Sequence, residues 1–340
     1  MLTTSRSLPY DELHIPLLMI PAGKDYLWGG RRLVEEFDKS WGEGVLAESW
    51  ECSTHPDGLS FIANGPWQGR SLLEYVNAYP QVMGRHGVKD AETAEGGQCV
   101  PVLVKLIDAA KDLSIQVHPN DEYARCHEND MGKTEMWYVL DAEPGASLIY
   151  GFSHDITKEQ LRKYVAEGSI GRHVQQIPVQ KDDVFFVRPG TVHAIGGGVL
   201  LAEIQQCSNV TYRVYDYDRV DTKGQKRPLH LEKALDVMDR KSAPAVRQQL
   251  RVLRYRPGVA QESLCQCPYF LVHRLLVNGE HCWQVSEQSF EILLMLDGEL
   301  TIGQGTDGEL CLKKGNCVFL PAGMGEISLA GKGQLLRISC

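Results

Sequence analysis

The chain has 340 residues, 43% hydrophobic and 23% charged, with a formal net charge of -9; that length allows two domains or one large β structure with insertions. The acidic balance argues against a general nucleic-acid surface, which needs clustered positive charge, and leaves room for a locally basic pocket that takes a small anion. No basic stretch leads into an N-terminal apolar segment and no apolar run reaches bilayer-spanning length, so a cytoplasmic protein without a membrane partner is expected. The ten cysteines match neither a zinc-ribbon nor a disulfide-framework spacing. Cys265 and Cys267 make C-x-C, not C-x-x-C, and free thiols are expected throughout.

Residues 1–30 read as extended apolar segments. The stretch 45–65, "VLAESWECSTHPDGLSFIANG", places Glu48, Trp50 and Cys52 on one parity and turns at Pro56-Asp57-Gly58, a hairpin pattern. In 71–83, "SLLEYVNAYPQVM", apolar residues recur at helical spacing behind Ser71 as N-cap. Residues 84–99 read as a loop. The run 100–109, "VPVLVKLIDA", is a buried strand whose one lysine, Lys105, points either outward or into a polar cavity.

In "SIQVHP" the alternation of Ile115 and Val117 with Gln116 and His118 puts both polar groups on one strand face. Glu135 opens the apolar run "MWYVL", and His193 follows "VFFVRPG". Four inward-facing N/O groups from three strands can close a metal site inside a small barrel. Such a donor set suits zinc, manganese, iron or cobalt without choosing among them, and Gln116, an amide, is its weakest member. Between these pieces, 120–131 reads as a short helix or loop and 153–171 as a helix. Beyond His193 a strand puts Glu203, Gln205, Thr211, Arg213 and Tyr215 on one parity, and 227–239 reads as an amphipathic helix.

The tail from about 262 is all-β in pattern and repeats part of the first half. "EMWYVLDAEPG" aligns with "EILLMLDGELT", Glu135 on Glu291, and "KDDVFFVRPGTVHAI" with "KGNCVFLPAGMGEIS", His193 on Glu326. Two related β barrels in one chain are expected: a metal-binding N-terminal domain over 1–245 with helical insertions, a linker over 246–260, and a degenerate copy over 261–340. The second copy lacks the Gln-x-His pair and the last histidine, so one metal is expected, in the first barrel.

Together, "VKLIDAAKDLSIQVHPND", "GKTEMWYVL", "PGTVHAIGGGVLLAEIQQCSNVTYRVYDYDR" and "RPLHLEKAL" resemble the type I phosphomannose isomerases, in their shorter bacterial form. The resemblance implies a mostly β protein of two cupin (jelly-roll) barrels with helical insertions, and a zinc enzyme that interconverts mannose 6-phosphate and fructose 6-phosphate. It implies zinc ligands at Gln116, His118, Glu135 and His193, a catalytic arginine at Arg213, and charged active-site groups at Lys133 and Glu203. Lys105, Lys133 and Arg213 are the candidates for receiving the phosphate. One Zn²⁺ per chain and a small-molecule sugar phosphate as partner complete the expectation. The alternative is a bicupin that binds a sugar or sugar phosphate without catalysis.

Overall fold

The computed structural model describes residues 13–87, 97–220, 223–246, 248, 250–304 and 307–340. Its contacts divide into two units, one drawn from Met1–Ala22, Glu51–Val102 and Arg251–Cys340, the other from Gly23–Trp50 and Leu103–Leu250. Among the described residues no helix is long and apolar enough to cross a membrane.

In the second of these units two sheets face each other as in a jelly roll. A six-stranded sheet runs in the order Val184–Val187, Glu135–Ala142, Val199–Gln206, Val102–Ala109, Glu48–Cys52, Ala22–Lys24. A five-stranded sheet runs Tyr212–Tyr215, Ile115–Val117, His193–Ile195, Ser147–Phe152, Val174–Pro178. Both are open paths, not closed rings. Trp137, Val139, Phe185 and Leu201 from the first meet Leu148 and Ile195 from the second in a common core. On its other face the smaller sheet buries Ile115, Val117, Tyr212 and Val214 against Ile156, Leu161, Ala234 and Leu235. With that parity committed to the helices, Gln116, His118 and Arg213 are left for the interior.

The helices are shorter than their patterns suggest, for identifiable reasons. Lys158–Ala166 starts where Thr157 and Gln160 form a capping box, and Ile170–Arg172 is a separate 3-10 turn. Leu231–Val237 starts late because the residues before it are tied to the Arg213 strand: Pro228 O accepts from Arg213 Nη1 at 2.9 Å, and His230 N–H donates to Arg213 O at 2.8 Å. Asp121–His127 forms behind Asn120 as cap.

The other unit is one long sheet. Its order is Arg254–Arg256, Val259–Gln266, Leu271–Val285, Gly325–Ser339, Glu291–Gln304, Cys317–Leu320, Leu17–Ile20, Phe61–Ile62, with Asp307–Lys313 also paired to Glu291–Gln304. The stretch read as a linker therefore already carries a strand. The Pro56-Asp57-Gly58 turn forms, with Ser60 N–H on Ser53 O at 2.9 Å, but the expected hairpin does not. Phe61–Ile62 pairs with Leu17–Ile20, Ile62 opposite Met19, so its ladder is spent on a segment far away in sequence. Gly84–Gly87 is one helical turn; of the rest of the expected loop, 88–96 lies outside the described residues.

Ser71 caps the helix Leu72–Ala78 in a full capping box with Glu74, and the continuation Pro80–Met83 is 3-10. Ser71→Ala removes the acceptor for Glu74 N–H and is expected to lower stability by about 1 kcal/mol, read from the midpoint of a urea unfolding curve.

The internal repeat appears as strand register. Val187 lies opposite Glu135 and Val184 opposite Tyr138, while Leu320 lies opposite Glu291 and Cys317 opposite Leu294. The next strand over differs at one telling position. Glu203 stands opposite Trp137 in the first copy, and Arg337 stands opposite Leu293 in the second. Arg337 Nε donates to Glu291 Oε2 at 2.7 Å, its Nη2 donates to Oε1, and Trp283 Nε1 donates to Oε2 at 2.9 Å. The second copy has thus kept the glutamate and neutralised it with a guanidinium. Arg337→Ala strands a carboxylate that is 5% exposed. Expected is a loss of about 2–4 kcal/mol by chemical denaturation, somewhat under the cost of breaking a fully buried pair because Arg337 is partly exposed and Trp283 still donates to the carboxylate, with metal content unchanged.

Candidate metal centre

His118, Glu135 and His193 come from three separate strand regions of the two facing sheets. His193 pairs directly with Gln116 across the smaller sheet, and Arg213 pairs with Gln116 from the other side, so the three side chains form one cross-strand row. Glu135 reaches in from the larger sheet. His118 Nε2 lies 3.2 Å from Glu135 Oε1, His193 Nε2 lies 3.7 Å from Glu135 Oε2, and the two Nε2 atoms are 3.1 Å apart. Among the described residues this is the one group of three His, Cys, Asp or Glu side chains whose ligand atoms all lie within 4.8 Å of one another. The Gln116 amide is beside it, its Nε2 3.4 Å from His193 Nε2.

The surroundings fix what these atoms can do. His118 Nδ1–H donates to Val210 O and His193 Nδ1–H to Thr191 O, each at 2.8 Å. Both rings therefore aim an Nε2 lone pair at the same point, and two acceptors 3.1 Å apart cannot satisfy each other. Protonation is no remedy: burial, with the Lys133 charge nearby, lowers the His118 imidazole to about 3, and burial lowers His193 as well. Burial alone would raise the Glu135 carboxyl, but the Lys133 ammonium beside it outweighs burial and holds it well below the usual carboxylate range. Neither Glu135 oxygen accepts a hydrogen bond, although Lys133 Nζ is 3.1 Å from Oε1. Two pinned imidazole lone pairs and an ionised, under-satisfied carboxylate in a dry interior fit a divalent cation. The Nδ1–H to carbonyl bonds are the supports that orient metal-ligating histidines.

The other expected site residues lie around this point in two groups. Lys105 is 3% exposed and Glu203 4% exposed. Lys105 Nζ is 3.0 Å from Glu203 Oε2 and 3.8 Å from Glu48 Oε2, and lies over the Trp50 ring at 4.9 Å. Trp137 Nε1 donates to Glu203 Oε1 at 2.9 Å, and Trp50 Nε1 to Glu48 Oε2 at 2.7 Å. Burial disfavours the Lys105 ammonium, yet Glu203 and Glu48 outweigh it and raise its pKa. Burial raises the Glu203 carboxyl against the pull of Lys105. Glu48 and Trp137 are members of this network that sequence reading did not single out. The shared parity of Glu48 and Trp50 was the available signal for the first.

Arg213 is half-buried. Its Nη1 donates to Pro228 O, its Nε is buried without a partner, and among the described residues it makes no ion pair. Burial and the neighbouring Arg227 work against its charge. The nearby carboxylate, Asp216, is already taken: Arg227 Nε donates to its Oδ2 at 2.8 Å, and Arg219 holds its Oδ1. A guanidinium left with unspent donors beside a cation-binding centre is equipped to receive an anionic ligand.

Fold and site together define a cupin with a candidate metal centre. Two family models match: phosphomannose isomerase type I, catalytic domain, over residues 17–170, and mannose-6-phosphate isomerase, cupin domain, over residues 260–340. The chain is 36% identical over 325 residues to mannose-6-phosphate isomerase ManA of Bacillus subtilis, covering 94% of this chain and 98% of that one. It is 36% identical over 308 residues to the mannose-6-phosphate isomerase of Streptococcus mutans, covering 90% and 92%. The crystal structure of the Bacillus subtilis mannose 6-phosphate isomerase is similar at a TM-score of 0.83 and 34% identity, over 95% of this chain and 99% of that chain. The chain belongs to the type I phosphomannose isomerase family.

Proposed function

We propose that the protein is an aldose–ketose isomerase interconverting mannose 6-phosphate and fructose 6-phosphate, with one zinc ion per chain held by His118, Glu135, His193 and the amide oxygen of Gln116. The observation that carries this reading is the pair of Nδ1-pinned imidazoles facing an ionised Glu135, with Arg213, which makes no ion pair among the described residues, in one cross-strand row with Gln116 and His193. A half-turn of the Gln116 amide is all that presents its oxygen instead of its nitrogen. One ion per chain is supported by Arg337, whose guanidinium satisfies the carboxylate of Glu291, the counterpart of Glu135.

The reaction moves a proton between C2 and C1 of the open-chain sugar through an enediol. Zinc, when bound, supplies a Lewis acid at the sugar oxygens. The chain's own residues supply the rest. Arg213 presents fixed positive charge to the oxyanion that develops, and preorganised charge of this kind is usually the largest catalytic contribution. Lys133, 4% exposed beside Glu135, adds a second cation there and joins Arg213 as a candidate for the phosphate. Glu203 is the candidate proton carrier, with its carboxyl raised by burial and fixed by Trp137 and Lys105. Lys105, buried and ion-paired with Glu203, acts through that carboxylate.

The test compares mannose 6-phosphate with free mannose in an enzyme-coupled assay for the ketose. Turnover of the phosphorylated sugar, with kcat/KM about 10²-fold or more above that of mannose, is expected when charged hydrogen bonds hold the phosphate. Tight binding of mannose 6-phosphate without any ketose formed would replace the isomerase by a binding protein.

A further inference from the structure

Arg213 stands on Tyr212–Tyr215, the strand at one edge of the five-stranded sheet. Its pairing with Ile115–Val117 slips register between Arg213 and Tyr215, and a bulge of this kind re-aims the side chains beside it. On an edge strand the outward N–H and C=O have no strand to bond. Something outside the sheet must therefore hold the Arg213 peptide. The segment 228–230 does so. His230 N–H donates to Arg213 O at 2.8 Å, Arg213 N–H donates to His230 Nδ1 at 3.2 Å, and Arg213 Nη1 donates to Pro228 O at 2.9 Å. One short segment thus grips both sides of the peptide and one end of the guanidinium.

That segment is anchored at both ends without help from Arg213. Before it, Arg227 donates to Asp216 through Nε at 2.8 Å and Nη2 at 2.6 Å. After it, the helix Leu231–Val237 buries Ala234 and Leu235, and Lys233 Nζ lies 2.7 Å from Glu128 Oε1, which also accepts from Tyr212 Oη at 2.7 Å. His230 is the N-cap residue of this helix, yet its side chain makes no capping bond there, a place usually held by Ser, Thr, Asp or Asn. Its imidazole is directed at the Arg213 strand instead. An accepting Nδ1 puts the ring proton on Nε2. Burial, then the Arg213 and Lys233 charges, lowers the His230 imidazole against the pull of Glu128, which keeps that lone pair free to accept.

We propose that residues 228–230 form a strap that fixes the aim of Arg213, with His230 as a positioning residue acting through its Nδ1 acceptor. The task given to Arg213 rests on the isomerase reading above; the strap itself rests on the three hydrogen bonds. Removing the acceptor leaves the Arg213 N–H without a partner at a bulge and loosens the guanidinium. His118, Glu135 and His193 are left as they are.

The test uses the full zinc-loaded chain with His230→Phe, which keeps a ring and removes the acceptor, and His230→Asn, which returns an acceptor oxygen. Each is made alone, and His230→Phe is also combined with Arg213→Ala. In His230→Phe, kcat on mannose 6-phosphate is expected to fall about 10- to 10²-fold, the scale of a small misplacement of a catalytic group, with metal per chain unchanged. In the Arg213→Ala background the same substitution is expected to cost less than about twofold more, because its effect runs through the missing guanidinium. His230→Asn is expected to recover most of the lost turnover. Hydrogen–deuterium exchange of the peptide carrying Arg213 reads the strap without any turnover: faster in His230→Phe than in the parent, and slowed again in His230→Asn. Equal losses of kcat in the two backgrounds, or exchange around Arg213 that His230→Phe leaves unchanged, overturns the proposal. A parent chain that binds zinc and forms no ketose overturns the isomerase reading instead, and the exchange measurement still decides on the strap.

Discussion

Glu135→Gln is expected to release the metal and to lower isomerase turnover by more than about 10³-fold, since Lewis-acid assistance is worth several kcal/mol. The substitution keeps the shape of the side chain and removes the one anionic donor facing His118 and His193. A neutral amide leaves a divalent ion with no charge compensation in an interior where all three residues are essentially closed to solvent. Elemental analysis after gel filtration gives metal per chain, and the coupled assay gives turnover. Glu135→Gln protein that keeps its full metal content while losing activity would remove Glu135 from the ligand set.

Arg213→Ala should behave differently. Among the described residues its guanidinium makes no ion pair, and its backbone is held by pairing with Gln116 and by His230, so the strand survives the loss of the side chain. Metal content is expected to remain near that of the parent while kcat falls about 10²–10³-fold, the usual cost of deleting one preorganised charge at a developing oxyanion. Arg213→Lys should recover little, because a point ammonium does not reproduce the planar fork. Loss of metal in Arg213→Ala would mean that the residue holds the site together instead of acting on substrate.

Much of this was legible from alternation. The parity of "SIQVHP" sorts Ile115 and Val117 to the helix-covered face and Gln116 and His118 to the interior, and "TYRVYDY" sorts Tyr212 and Val214 from Arg213 in the same way. The repeat was legible because both copies keep the same strand register around a glutamate. Cross-strand chemistry was not. Nothing in the linear order joins Lys105 to Glu48 and Glu203, or Trp137 to Glu203, since each contact depends on which strands become neighbours. The same limit explains the misread hairpin at 45–65: its turn is local and forms, while the partner of Phe61–Ile62 is chosen by a distant apolar strand. Arg337 was hidden for that reason too, a charged residue in a β pattern whose meaning appears only opposite Glu291.

The most direct measurement follows fructose 6-phosphate formation from mannose 6-phosphate in protein stripped with a chelator and then titrated with zinc. Activity should vanish on stripping and return in proportion to zinc, levelling at one ion per chain, with Glu135→Gln failing to recover at any zinc level. Full activity in protein shown to be metal-free would contradict the assignment of His118, Glu135 and His193 as the centre on which the reaction depends.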